Sequence, residues 1–362
     1  LAATTATFND TITGAYGLAI TGNAVFGNAT ADTVTLTGTN KALSVSGTSS
    51  INANITTSGG QTYSGATTVG ATLTLSASSI TTGSTLAASA NTLTMTTDAI
   101  SLGGAVSGSG ALVIQPKTAG TTIALGTDAT GALKLDDTEI GYLGNAFTSI
   151  TLGSTAGTGA IAVNFATVPT FADNLVIRSS SGAITAVDTI NTGTNTLTIS
   201  SGGAVSVAGI TSGTLAITGA GITLNNNITT SGTQTYTGAV TLGGSVTAAS
   251  TGGSANGSNI SFTSTINGTS ANTQSLTLNA GTTGVITVSG AVGGSTTLAT
   301  LTLSNSYQFT FSAAVTTGTE ISISKSVTGN GSTFGGNVST ATLTVTSGAY
   351  SIAFFGDTNS VT

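Results

Sequence analysis

The segment from Asn54 to Gly70 reads NITTSGGQTYSGATTVG, and it returns from Asn227 to Gly243 as NITTSGTQTYTGAVTLG. Most positions match across an offset of 173 residues, from 54 to 227. A chain that copies its own segments in this way is built from stacked units, not from one closed globule. The text between the copies gives the unit type. It consists of short runs such as VTLT, LSVS, TLTL, TLTM, LTIS and ITVS, separated by Gly, Asn and Ser.

Apolar and hydroxyl residues alternate in Val34-Thr35-Leu36-Thr37, Leu43-Ser44-Val45-Ser46, Leu93-Thr94-Met95-Thr96, Leu197-Thr198-Ile199-Ser200 and Leu343-Thr344-Val345-Thr346. Period two places Leu and Val on one face of a strand and Thr and Ser on the other. Thr, roughly a fifth of the residues, and Val are β-branched and favour a pleated, half-buried setting. The 51 Gly supply corners, and only 2 Pro interrupt backbone pairing. No segment carries a helical stripe with caps. A sandwich is the alternative, but its strands are longer and its surface more charged. The predicted fold is therefore all-β, a β-solenoid (parallel β-helix) of roughly 15–18 short-stranded coils, each of about 20–25 residues. At ~4.8 Å per coil the whole chain, 1–362, reads as a single elongated solenoid roughly 70–85 Å long. The section at about 111–178 is less regular and more charged. It holds both prolines, Pro116 and Pro169, and half of the charged residues: Lys117, Asp128, Lys134, Asp136, Asp137, Glu139, Asp173 and Arg178.

Charged residues make up 4% of the chain, against about 25% in ordinary domains. The net charge is −6, and Lys41, Lys117, Lys134, Arg178 and Lys325 are scattered. Nucleic-acid binding needs clustered cations, so it is set aside. No apolar run is long enough for a transmembrane helix. The absence of His and Cys excludes Ser-His-Asp and Cys-His catalysis, disulfides, and zinc sites built on those residues. The chain opens at Leu1 without an initiator Met or a signal peptide and reads as a mature or excised piece of something longer.

Carboxylate chemistry is the one catalytic class left, and Asp136-Asp137-x-Glu139 is the one dense candidate. Adjacent strand residues point to opposite faces, so Asp136 and Asp137 converge only in a turn. The first reading is a solvated turn. The alternatives are a calcium site formed by Asp136, Asp137 and Glu139, since calcium needs several oxygen ligands, and catalysis. No other cofactor is expected. Tyr307-Gln308-Phe309-Thr310-Phe311 alternates and places three rings on one face, to fill coil interiors or to stack on sugar rings. The Asn-x-Ser/Thr sites at Asn54, Asn227, Asn267 and Asn337 follow from composition. Thr-x-Thr units also raise ice binding, although the intervening residue is usually a large apolar one.

The two ends echo each other. Gly14-Ala15-Tyr16-Gly17-Leu18-Ala19 is matched by Gly348-Ala349-Tyr350-Ser351-Ile352-Ala353. With no cap at either end, an uncapped solenoid exposes ladder groups and adds a partner strand. The candidate polymer contacts are Tyr16, Leu18, Tyr350, Ile352, Phe354 and Phe355.

The Asn54 and Asn227 motifs, the TLTL and LTIS runs and the Gly-Ala-Tyr boundaries resemble repeats of large bacterial surface proteins, the filamentous-haemagglutinin-like and autotransporter-passenger-like β-solenoid adhesins. The resemblance implies secretion and an extracellular or cell-surface location on a bacterium. The expected function is structural and non-enzymatic, with solenoid protomers self-associating as a homopolymer into a filament, sheath or surface layer. One alternative is a cell-surface adhesin whose solenoid spaces a region, 111–178, that binds surface glycans. A polysaccharide-active β-helix enzyme is the other.

Overall fold

The computed structural model describes residues 1–29, 31–324, 331–346 and 351–362. Strand accounts for 52% of the chain, and its parallel sheets stack as a β-solenoid of about 17 turns, within the coil count expected from the sequence. Two compact units divide it, Leu1–Gly182 and Ala183–Thr362.

In the first unit a regular coil has three faces. One runs through the strands Thr33–Leu36, Asn54–Thr57, Leu73–Ser76 and Leu93–Thr96 to Ala111–Gln115, each parallel to the next. A second runs through Leu43–Val45, Gln61–Tyr63, Ile80–Thr82 and Ile100–Leu102. The third runs through Ser49–Ile51, Thr67–Val69, Leu86–Ala87 and Val106–Ser107. Alternation decides what points inward. Val34, Ile55, Leu75, Met95, Ile114, Leu152 and Ile177 pair in sequence and form one buried column. Each such side chain contributes about 1.5–3 kcal/mol by leaving water. The residues between them face outward as a second column, Thr35, Thr56, Ser76 and Thr96, which ends on Gln115. There the Gln115 amide donates to Thr96 Oγ1 at 3.0 Å.

In the second unit one interior column turns aromatic. Ile217, Tyr236, Phe262, Val288, Phe311, Phe334 and Phe354 pair successively. Tyr236 stacks on Phe262 with ring centroids 4.4 Å apart and planes 7° from parallel. Phe334 stacks on Phe311 and on Phe354 at 5.2 Å each. Parallel in-register pairing imposes this near-parallel stacking, because each ring sits one strand spacing from its equivalent. Phe309 and Phe311 are fully buried, as the interior reading of that segment expects. Tyr307 departs from it: the ring lies before the strand Gln308–Phe311 begins and is 39% exposed.

Coils turn from one face to the next either by a break or by a bend inside a long strand. Gln234–Leu242 bends at Gly238, where φ is +134°. A Cβ there would collide with the Gly219 carbonyl of the preceding coil. Glycine is required on both counts.

The duplicated motif has a structural meaning. In the first copy the buried Gln61 amide donates to the Ile55 carbonyl (3.1 Å) and, one coil on, to the Ser76 carbonyl (3.0 Å). Tyr63 Oη donates to Gln61 Oε1 (3.0 Å), and Thr57 Oγ1 donates to the Gly59 carbonyl (2.8 Å). In the second copy Gln234 donates to Thr230 Oγ1 (3.1 Å) and to the Ala249 carbonyl (2.9 Å), while Tyr236 Oη donates to Gln234 Oε1 (2.8 Å). Burial pushes both phenols above their ordinary pKa, so both stay protonated and keep donating. The motif therefore recurs as a polar staple inside a corner, where every buried donor needs its partner.

Removing one member of the staple strands the others in the interior. Gln234→Ala is expected to lower the unfolding free energy by about 1–3 kcal/mol, and Tyr236→Phe by ~1 kcal/mol. Urea denaturation followed by circular dichroism measures both, and equal midpoints for wild type and Gln234→Ala would contradict the staple.

Candidate functional site

The regular winding changes after Gln115. Between Ala111–Gln115 and its next partner on that face, Ser149–Ser154, the chain inserts the strands Ile123–Leu125 and Leu133–Leu135 and a short helix, α1, Asp137–Gly141. The helix corrects the sequence reading, which saw no capped helix here. Asp136 is its N-cap and accepts from the Glu139 N–H (2.8 Å), while Glu139 Oε2 accepts from the Asp136 N–H (3.1 Å). This reciprocal pair is a capping box, and a five-residue helix has little else to hold it.

The carboxylates here take the place of strand carbonyls. The face that passes through Ile100–Leu102 meets α1, and Glu139 Oε1 accepts the Leu102 N–H at 2.8 Å. The chain leaving α1 rejoins the ladder, with Val106 N–H donating to the Tyr142 carbonyl and Gly144 N–H to the Val106 carbonyl, each at 2.8 Å. Asp137 accepts from the N–H groups of Thr127 (2.9 Å), Ala166 (2.9 Å) and Thr167 (3.0 Å). Asp98 gathers the loop after Pro116, accepting from Lys117 N–H (3.0 Å), Thr118 N–H (2.8 Å), Thr118 Oγ1 (2.6 Å) and Thr121 Oγ1 (2.7 Å). Partial desolvation pushes up both Asp98 and Asp137, but the hydrogen bonds together outweigh it and hold each below the ordinary carboxylate range. Asp173 goes the other way. It is buried, its Oδ2 has no partner, and burial raises it despite N–H donation from Phe147 and Ala146.

The calcium candidates Asp136, Asp137 and Glu139 lie side by side at α1, but their carboxylates are committed to backbone N–H groups: Asp136 and Glu139 to each other's, Glu139 also to Leu102, and Asp137 to Thr127, Ala166 and Thr167. Among the described residues no group of three or more His, Cys, Asp or Glu is arranged to hold a metal ion. The Asn residues of the Asn-x-Ser/Thr sites are inter-coil ties. Asn54 Oδ1 accepts from Thr74 N–H (2.7 Å), Asn227 Oδ1 from Thr247 N–H (2.8 Å) and Asn267 Oδ1 from Ser295 N–H (3.0 Å). Asn337 Oδ1 accepts from Thr358 N–H at 3.2 Å.

The polymer-contact candidates fall at two places. In the first unit Tyr16 is 81% exposed, and Leu18 is half-buried on its pairing with Leu43. In the second unit Ile352 is half-buried, while Phe354 and Phe355 are exposed. Tyr350 lies outside the described residues. The strands Thr342–Val345, Ile352–Phe354 and Ser360–Val361 each pair on one side only among the described residues, with Val315–Ile323, Ser332–Phe334 and Val338–Thr340. Sequence reasoning missed two members of this edge, Val345 and Val361, both exposed. The alternation in Thr342–Val345 marks Val345 as inward-facing. What it does not carry is whether anything stacks on that side.

Two grooves of about 280 and 240 Å³ are lined by small, uncharged residues, among them Thr5, Asn23 and Ser50 in one and Thr194, Thr211 and Ser231 in the other. They offer hydroxyls and amides for hydrogen bonding and no ionisable group. No helix among the described residues is long and apolar enough to cross a membrane. No protein-family model, curated protein or solved structure matches the chain.

If the α1 carboxylates are spent on the backbone, millimolar calcium is expected to leave the thermal midpoint of the protein unchanged. A midpoint that rises with calcium in wild type and not in Asp136→Asn would favour the calcium reading.

Proposed function

We propose that this chain is an extracellular structural protein whose copies stack through their solenoid ends into a filament, sheath or surface layer at a bacterial surface. One observation carries the reading. The coil formed by Thr342–Val345, Ile352–Phe354 and Ser360–Val361 has one strand edge without a partner among the described residues, together with Val345, Phe354 and Val361, whose ladder partners Ile323, Phe334 and Thr340 are buried, and with exposed Phe355 just past the strand. An apolar core section bordered by strands that pair on one side only is the kind of surface that adds a further strand. The occupant is the first coil of a second copy. Its strands Ala2–Phe8 and Ile12–Gly14 are likewise paired on one side only among the described residues, with Leu18–Phe26 and Thr33–Leu36. Such a head-to-tail contact is heterologous, and it propagates into an open filament where its rotation does not close a ring. The near-absence of charge, 4% of residues, also supports the reading, because like-charge repulsion between copies is small. The extracellular location rests on the resemblance to repeat adhesins of bacterial surfaces.

The adhesin reading has its own support in the section around α1, where Lys117, Asp128, Lys134 and Asp137 bring charges together on a chain whose other charged residues, such as Asp10, Lys41 and Asp357, are scattered. Loss of cell attachment on replacing residues 111–178, with hits on a glycan array, would favour it.

Negative-stain electron microscopy of the purified chain over a concentration series tests the main reading. Wild type is expected to form filaments of uniform width, and Phe354→Asp to raise the concentration at which they appear by at least about tenfold, the effect of ~1.4 kcal/mol per contact. Particles that stay single at every concentration, or filaments indifferent to Phe354→Asp and Val345→Asp, would overturn it.

A further inference from the structure

In the regular coils the backbone is held chiefly by neutral N–H···O=C ladders, with a local carboxylate turn at Asp32, which accepts from the Asn28 and Ala29 N–H groups at 3.0 Å each. The section after Gln115 is held differently. Its loops hang on carboxylates: Asp98 binds the 117–121 loop, Asp137 joins Thr127 to Ala166 and Thr167, and Asp136 with Glu139 fixes α1 to itself and to Leu102. Beneath α1 is a cleft of about 90 Å³ whose apolar lining includes Ile140, Leu143, Ile150 and Phe171.

We propose that this section is an acid-releasable element: protonation of Asp137 and Asp98 frees the loops at 117–121, 127 and 166–167, loosens α1 and uncovers the cleft, while the parallel ladders on either side stay closed. The physical basis is the difference between two kinds of acceptor. An ionised carboxylate forms charge-assisted hydrogen bonds about twice as strong as neutral ones, and it can accept from several N–H groups at once. A protonated one keeps one carbonyl-like acceptor and adds a donor that faces other donors. Ladder carbonyls do not titrate.

The sign follows from the direction of each shift. Asp98 and Asp137 are held below their ordinary value in the folded chain, so their contribution is complete above the unfolded value of about 3.9 and is lost as pH falls through the lower folded value. Release therefore belongs below about pH 4. Asp173, raised by burial, has the opposite sign and favours the folded chain as it takes up its proton. The ionisable groups around Asp137 are Asp136 and Glu139 on α1, Asp128 on the loop it binds, and Lys134 on the adjoining strand, whose Nζ donates to the Thr127 carbonyl at 2.7 Å. The 164–167 loop brings none. Facing Asp98 is Lys117, whose Nζ is turned to the Thr57 carbonyl at 2.8 Å.

Hydrogen exchange read by mass spectrometry on the whole chain at pH 7 and pH 3, corrected for intrinsic rates, tests this. Peptides covering 116–128 and 160–172 are expected to lose protection at pH 3 by at least about tenfold more than ladder peptides covering 197–224 and 276–303, and to regain it on return to pH 7. Asp137→Asn, which cannot ionise, is expected to show the loss at Thr127, Ala166 and Thr167 already at pH 7. Equal protection at both pH values, a loss spread evenly over the ladders, or wild-type protection in Asp137→Asn would each overturn the proposal. The wild-type series decides alone if that variant fails to fold.

Discussion

The structure depends on parallel, in-register pairing between successive coils. Each strand sits about 4.8 Å from its equivalent, so every side chain is stacked on its counterpart one coil away. A position therefore has to satisfy a column and not just a site. Apolar side chains form one such column from Val34 to Ile177, and a mainly aromatic column, interrupted by Val288, runs from Tyr236 to Phe354. The same rule explains the corners. A Gln or Asn repeated at a corner finds a carbonyl or N–H at a fixed distance above it, as Asn54 and Asn227 do with partners 20 residues on.

The ladder also explains how an almost chargeless chain can hold a fold. Backbone groups are satisfied coil to coil, and the outward columns of Thr and Ser solvate the surface with hydroxyls. At the two copied corners polar side chains enter the interior as sets that satisfy one another, Thr57, Gln61 and Tyr63 in one and Thr230, Gln234 and Tyr236 in the other, whereas Ser49, Ser212, Ser306 and Asp173 each bury an oxygen without a partner. An incomplete set costs more than an apolar residue would. That cost accounts for the close copying of these segments while the runs between them vary: Leu, Ile and Val replace one another readily in a column.

Much of the fold was legible because alternation with period two and Gly-rich breaks at short intervals leave few architectures. The coil number and the inward identity of Leu43, Val45, Leu197 and Ile199 follow from that pattern. The site was less legible. The capping box at Asp136 and Glu139 is local, four residues in all, and was obscured by the adjacent Asp137. The partners that give those carboxylates their role are not local. Leu102 lies 37 residues from Glu139, and Ala166 lies 29 residues from Asp137. No spacing rule anticipates such contacts where the winding is irregular. Tyr307 shows the complementary limit: alternation assigns a face only while the strand continues, and the strand begins one residue later.

The molecule thus uses two means of holding backbone, and they differ in what can undo them. Ladder bonds are neutral, numerous and cooperative, so a coil opens only where an edge lacks a neighbour. Among the described residues strands such as Ile352–Phe354 pair on one side only, and the proposed assembly would add its coil there. Carboxylate clamps are few and each secures several N–H groups at once, so one proton at Asp137 acts on two loops and a helix. A chain with only 11 acidic residues that places Asp98, Asp136, Asp137, Glu139 and Asp173 in or beside one irregular section has concentrated its titratable structure there, with Asp32 holding a local turn elsewhere. The proposed assembly at a strand edge and the proposed opening at the clamps are separable by experiment, because the first would draw on the ladder and the second on ionised oxygen.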